Sequence, residues 1–406
     1  MNKLHHIRTD LPPLNTTLIR DRESYPDFEI THASEIDRHL REIIALKDTS
    51  DPVFSIYLDL TSEDLERDIR RMVAGLAHGL DEESLYWLFQ AEVCILDLIG
   101  NRLRDEHRGL SLHFRGGDKP WIKAIAFHVP VASWACADRH PNLVPLIEMR
   151  DTYDRYIVLI SDESHARILE VVVGSVTREA WLSRPSLRKK VGREWAREHY
   201  RNYNEDRGRK FILEKVNMVT SLMSKGKYNH LILAGDPERV KAIEAALPEW
   251  ARQQIVDVCE LDLEDKRERI VRKTIHSFIE QEAFESRSAL ERLNQLILSG
   301  GHHATVGLDE CELALAQELV ETLVITRSVS QSTGTVRVFR HRTMDGNYLT
   351  IEKRRQRLIH EAVEKGVRIE FVDRESFLDD FCGVGAILRH DRDDLLNRKQ
   401  RSLNVA

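Results

Sequence analysis

Asn229–Ala234 reads NHLILA and is followed at once by Gly235-Asp236-Pro237. A short apolar run bounded by turn residues reads as a buried strand. Proline just after a capping aspartate is how helices commonly begin, so a helix is expected from near Glu238. Strand, turn and helix in that order imply a mixed or parallel α/β sheet. Upstream, Ile212, Val216, Val219 and Met223 recur at spacings of four, three and four, which places them on one helix face that Gly226 terminates. Further upstream, Tyr156–Ile160 (YIVLI) and Ala166–Val173 (ARILEVVV) are β-branched runs separated by the polar turn Ser161–His165.

The flanks read as α/β as well. On the N-terminal side, Val53–Leu60 (VFSIYLDL) is a buried strand, and amphipathic helices follow over Glu63–Leu76 and Glu82–Leu103. Arg108–Phe114 and Trp121–Phe127 are strands joined by the hairpin turn Gly116-Gly117-Asp118-Lys119-Pro120. The first fifty residues, with Pro12, Pro13 and Pro26, read as a polar arm plus a short helix. On the C-terminal side, a charged helix over Asp265–Ser299 leads to a further unit. There Asp309 is expected to cap a helix through Leu315, and Glu321–Thr326 to be a strand. A helix over Ile351–Lys365 stops at Gly366, Val367–Val372 is a strand, and GVGAILR closes the fold at Gly383–Arg389. Three α/β domains follow from this pattern, at 1–148, 149–285 and 286–406.

Bulk properties narrow the class. A chain of 406 residues is too long for one ordinary core. Hydrophobic residues at 42% and charged residues at 31% describe a globular protein rather than a disordered one. A net charge of -7 argues against general nucleic-acid affinity and leaves room for a local basic patch. Cys94, Cys136, Cys259, Cys311 and Cys382 are widely spaced and form no C-x-x-C pair, so neither a disulfide framework nor a zinc site is expected. The N-terminus lacks an apolar signal core and no segment approaches the roughly 20 apolar residues of a membrane span, which predicts a cytoplasmic protein. With no G-x-x-x-x-G-K-[ST] loop, no nucleotide is expected by that route, and no cofactor or metal is expected.

The patch exists. Arg184–Lys210 (RPSLRKKVGREWAREHYRNYNEDRGRK) holds ten cations and four anions, a local charge of +6, and interleaves Trp195, His199, Tyr200 and Tyr203 among the cations. Cations that track a phosphate backbone, with flat rings for stacking, suit single-stranded or looped RNA. A solvated helix face is the competing reading, because Glu194, Glu198 and Arg201 pair at helical spacing.

In order, the chain presents a strand pair, a basic loop with a glycine opening an Arg-rich helix, a buried strand ending in AGD, and a further domain. This sequence resembles the archaeal-eukaryotic class 1 release factor and Pelota superfamily, and most of all its bacterial branch of Balon-like ribosome hibernation factors. SIYLDL, ARILEVVVG, HLILAGDPERV, VGLDECELALAQELVETLVIT and GVGAILRH carry the likeness from about residue 50 onward. The resemblance implies an RNase H-like central domain and a ribosomal-protein-like α/β sandwich at the C-terminus. It also implies a ribosome-binding protein that occupies the A site against ribosomal RNA.

Release factors of that superfamily place Gly-Gly-Gln at the start of the basic helix, where the glutamine positions the hydrolytic water. Setting Arg197 on the arginine that follows this motif puts Val191, Gly192 and Arg193 at its three positions. Guanidinium has donors and no acceptor, so Arg193 cannot present an amide carbonyl to water. The resemblance therefore implies a non-hydrolytic homologue, acting in hibernation or stress, with no catalytic residue. It assigns ribosome binding to Arg188, Lys189, Lys190, Gly192, Arg193, Trp195, Arg197 and Arg201. It implies contact between the third domain and a translational GTPase, in bacteria the elongation factor that delivers aminoacyl-tRNA. Two alternatives stand beside it, namely hydrolysis of peptidyl-tRNA or RNA, and Pelota-like rescue of stalled ribosomes. The Asn-Ile-Lys-Ser motif that reads stop codons is missing, and Arg67, Arg70, Arg71 and Arg102 are the N-terminal cations available for sequence-independent contact.

Three smaller features complete the pattern. Arg337, Arg340, His341 and Arg342 lie on a strand-like run ending in the hairpin signal Asp345-Gly346, which suits either RNA contact or a solvated hairpin. His302 and His303 read as a turn, because two adjacent histidines without a third ligand make a poor metal site. Asp162, Glu163 and Glu170 could suggest nuclease carboxylates, but nothing in the sequence fixes a shared cavity for them.

Overall fold

The computed structural model describes residues 30–32, 35–46, 51–78, 80–117, 119–184, 195–226, 228–300, 303–327, 337–339, 346–373 and 377–389. They fall into two compact units, one built from 1–152 together with 284–406 and one from 153–283.

The first unit opens with β1 (Ile30–His32), α1 (Ile36–Ile44), β2 (Val53–Asp59), α2 (Leu65–Ala77), α3 (Glu82–Asp97), β3 (Gly109–Arg115), β4 (Trp121–Phe127), β5 (Trp134–Asp138) and α4 (Val144–Thr152). A π-helical turn over Leu98–Arg102 extends α3. The expected hairpin is β3–β4, paired antiparallel from Gly109–Phe127 to Arg115–Trp121. β2 lies inside the sheet between β3 and β5, which explains its nearly unbroken apolar run. Phe54, Ile56 and Leu58 face α2 and α3, whose Ile69, Met72, Leu88, Ala91 and Ile95 complete that core.

The second unit contains β6 (Tyr156–Ser161), β7 (His165–Val172), β8 (Ser175–Ser183), α5 (Trp195–Gly226), β9 (Leu231–Gly235), α6 (Pro237–Ala246), α7 (Glu249–Arg252) and β10 (Ile255–Cys259). Its sheet runs in the order β10-β9-β6-β7-β8. β6, β7 and β8 form an antiparallel meander, while β9 and β10 run parallel to β6. This is a mixed α/β sheet, as the strand-turn-helix order of the sequence implies. Gly235 is obligatory at the end of β9, because with φ of 111° a Cβ there would lie 2.2 Å from the Ser161 carbonyl oxygen. Asp236 then caps α6 by accepting from the Glu238 N–H at 2.9 Å, with Pro237 at the first helical position. On one sheet face Ile157, Leu159, Leu231 and Leu233 meet Val216, Val219 and Met223 of α5. On the other, Val158, Ile160, Ile232 and Ala234 meet Ile270 and Phe278 of α8 (Arg267–Leu298), which carries the chain from one unit to the other.

The C-terminal part of the first unit adds β11 (Ala304–Val306), α9 (Leu308–Ala316), β12 (Val320–Thr326), β13 (Arg337–Phe339), α10 (Gly346–Glu364), β14 (Arg368–Val372) and β15 (Val384–Leu388). Its four-stranded sheet runs β11-β15-β12-β14. Leu290, Leu293 and Ile297 of α8 pack against it, and Cys311, Leu315, Leu358 and Ala362 of α9 and α10 are buried as well.

The structure departs from these expectations at two elements, α9 and β8. Gly307 caps α9, while Asp309 lies in its first turn and accepts from Arg354 at 2.6 Å. Gly346 opens α10 and β13 pairs in parallel with β5, while Arg340, His341, Arg342 and Asp345 of the expected hairpin lie outside the described residues. β8 was not anticipated: only Val176, Ala180 and Leu182 of its nine residues turn toward the core, the weak alternation of an edge strand. The five cysteines are unpaired, and burial pushes the Cys94 and Cys311 thiols up to about 12, as inert core residues require. Among the described residues no helix is long and apolar enough to cross a membrane.

Candidate nucleic-acid interface

The basic window connects β8 to α5. Arg188, Lys189, Lys190, Gly192 and Arg193 lie outside the described residues. Trp195, Arg197 and Arg201 fall in the first turns of α5, where the backbone alone is described. The two flanks of the window are well defined. α5 has 32 residues, about 48 Å at 1.5 Å per residue. β6 beneath it has six, about 20 Å. Among its described side chains, those α5 lends to the core begin at Phe211 and Ile212. On its outward face Lys210, Leu213, Glu214, Asn217, Met218 and Ser221 line an open depression of about 500 Å³.

Both flanks are tied to the turn between β6 and β7. Asp162 organises that turn, accepting from the backbone N–H groups of Ser164 at 2.7 Å and His165 at 2.6 Å. Burial would raise the Asp162 carboxyl, but those two donors, with His165 and Lys215 nearby, hold it below the usual carboxylate range. On the β8 side, the Arg184 N–H donates to the Ser164 carbonyl at 2.7 Å, and the Arg184 guanidinium lies 3.7 Å from Glu163. On the α5 side, Lys215 is only 1% exposed. Its Nζ donates to Ser161 Oγ at 2.6 Å and to the Asp162 carbonyl at 2.9 Å, over the Phe211 ring. Burial drives the Lys215 ammonium down to about 8; Asp162 opposes the shift and the cations Arg239 and Arg184 add to it.

The nuclease alternative loses its geometry here. Asp162 is spent on the turn, and Glu163 faces Arg184. Glu170 pairs across the sheet with Ile157, far down β6, and accepts from the Tyr228 hydroxyl at 2.6 Å. The three carboxylates share no site. In the N-terminal part, Arg67 and Arg70 pair with Asp64 and Glu66 one helical turn away.

Glu106, His107 and His128 also come together, with His128 Nε2 3.8 Å from a Glu106 oxygen. His107 Nδ1 accepts the Arg104 N–H at 2.9 Å, which places the ring proton on Nε2 and leaves that nitrogen unsuited to a metal.

Residues 141–278, from the approach to α4 through the first part of α8, match the family described as bacterial archaeo-eukaryotic release factor family 10. That segment is similar to the bacterial branch of the archaeo-eukaryotic release factors. The matched segment contains the whole basic window and both of its flanks. Among solved structures, ribosome-bound archaeal Pelota, described together with ABCE1, is 15% identical, with 89% of this chain and 96% of that one covered and a TM-score of 0.41. Dom34 from S. cerevisiae, a translation termination-like factor, is 12% identical over 71% of this chain and 82% of its own, at a TM-score of 0.38. The archaeal translation termination factor aRF1 is 17% identical over 89% and 99%, at a TM-score of 0.25. No curated protein matches the chain. Within the release-factor segment, sequence reasoning missed Lys215 and Trp181. A lone lysine on an otherwise apolar helix face was the available signal for the first.

Proposed function

We propose that this protein binds the bacterial ribosome and occupies the A site without chemistry, as a hibernation or stress factor. The observation that carries the reading is the +6 window, which lies inside the release-factor segment and has Arg193 where release factors of the superfamily have glutamine. The length of α5, 32 residues against the six of β6, supports it, since a helix much longer than its strand can carry the window toward an RNA-walled cavity. The absence of a shared site for Asp162, Glu163 and Glu170 speaks against RNA hydrolysis. The C-terminal sandwich is the part we assign to the tRNA-delivering elongation factor.

A release assay tests the chemistry. Purified protein added to ribosomes carrying labelled peptidyl-tRNA should free no peptide above a buffer control. Codon-independent release that vanishes in Arg193→Ala would show a hydrolase instead.

A further inference from the structure

Trp181 is half exposed, at 51%, on β8, the edge strand of the central sheet, three residues before the basic window begins at Arg184. An exposed tryptophan on a strand edge normally has freedom to rotate, but this one does not. Its indole Nε1 donates to Glu179 Oε1 at 3.0 Å, and the Arg167 guanidinium lies over the ring at 5.1 Å from its centre. Arg167 is itself immobilised, with Nε donating to Glu179 at 2.7 Å and Nη1 to the carbonyls of Leu263 and Asp265 at 2.7 and 2.6 Å. Arg267 donates to the second Glu179 oxygen at 2.6 Å and stays 59% exposed. Burial would raise the Glu179 carboxyl, but Arg267 and Arg167 outweigh that and keep it ionised as the hub of the cluster.

We propose that Trp181 is a preformed stacking platform for an unpaired base of RNA. With Arg167 over one ring face and Nε1 bound to Glu179, the face left for a base is the other, which is flat, apolar and held in orientation. Little side-chain entropy remains to be lost on binding, and a π-face accepts any base. Two arginines around one glutamate leave the surroundings of the ring cationic, and the chain continues directly into ten cations against four anions, which selects a polyanion over a neutral or basic surface. This assignment rests on the ribosome-binding reading and extends it to a residue outside the basic window.

The test uses full-length wild type, Trp181→Ala, Trp181→Phe and the triple variant Arg188→Ala/Lys189→Ala/Lys190→Ala, each checked for an unchanged thermal transition. Each is titrated against purified ribosomes and against fluorescently labelled single-stranded oligoadenylate. Trp181→Ala should lose roughly 5- to 150-fold in affinity for both, with the salt dependence unchanged, and Trp181→Phe should recover most of the loss. Wild-type affinity in Trp181→Ala for ribosomes, with the triple variant still weakened, overturns the platform and leaves the ribosome reading intact. Weakened ribosome binding with oligoadenylate binding unchanged or absent assigns the ring to a protein contact and overturns the RNA assignment. Failure of wild type to bind ribosomes removes both.

Discussion

Lys215 shows what a single buried charge does to this fold. Its pKa of about 8, against the usual lysine value near 10.4, means that the folded state gives up the proton before the unfolded chain does. Between those two values the unfolded state binds more protons, so this group adds stability as pH rises from about 8 to about 10.5. The gain amounts to ~3 kcal/mol when complete, at about 1.36 kcal/mol for each pH unit that separates the two values. Lys215→Met keeps the stem and removes the titration. Chemical unfolding of both proteins at pH 7 and pH 10 should therefore show the difference between them shifting in favour of wild type at the higher pH. A difference that stays constant would mean that the ammonium finds water in the folded state.

At the scale of elements, α5 divides into a half that packs and a face that does not. Val219 is fully buried against the sheet, so Val219→Ala should cost about 2 kcal/mol in urea unfolding with an unchanged slope. Leu213, on the same helix and 52% exposed, should tolerate alanine to within about 0.5 kcal/mol. Equal costs would contradict the orientation of the helix. The buried half was legible in the sequence because Val216, Val219 and Met223 recur with the helical period, and β9 and α6 were legible because Gly235-Asp236-Pro237 is turn and cap chemistry. β8 was not, since only three of its residues reach the core and its Trp181 and Glu179 serve a polar cluster instead. Nor was the cap of α9, because Gly307 caps through a φ of 91° that its letter alone does not reveal. Of the interface, the charge of the window was readable by counting. The turn Ser161–His165 was readable too, but its ties to the two flanks were not, because Arg184 and Lys215 meet it only through long-range folding.

The whole molecule joins parts distant in sequence. In the first unit Asp151, at the end of α4, accepts from the Phe371 N–H of β14 at 3.0 Å, while Arg327 donates to Thr152 at 2.7 Å. Burial pushes the Asp151 carboxyl up to about 8, and the neighbouring Glu370 carboxylate adds to the shift; Arg327 and Arg150 oppose it only in part. A native group that keeps its proton to about pH 8, while the unfolded chain loses it near 3.9, contributes stability that falls as pH rises across that interval. Asp151→Asn retains an acceptor for Phe371 without the charge. It should flatten the stability profile between pH 5 and 9 and stabilise the protein by at least about 1 kcal/mol at pH 9. Superimposable profiles for variant and wild type would show that the carboxyl ionises freely.

An acidic chain of net charge -7 that carries one +6 window has put its cations in one place, and ribosome binding is the use we assign to them. The direct measurement is ribosome affinity across a salt series for wild type and for Arg188→Ala/Lys189→Ala/Lys190→Ala. Each neutralised phosphate contributes roughly 0.7 to 0.9 to the slope of log affinity against log salt, so the triple variant should flatten the slope by roughly two to three. A folded triple variant that binds ribosomes as wild type does at every salt concentration would contradict the account and return the window to a solvated helix face.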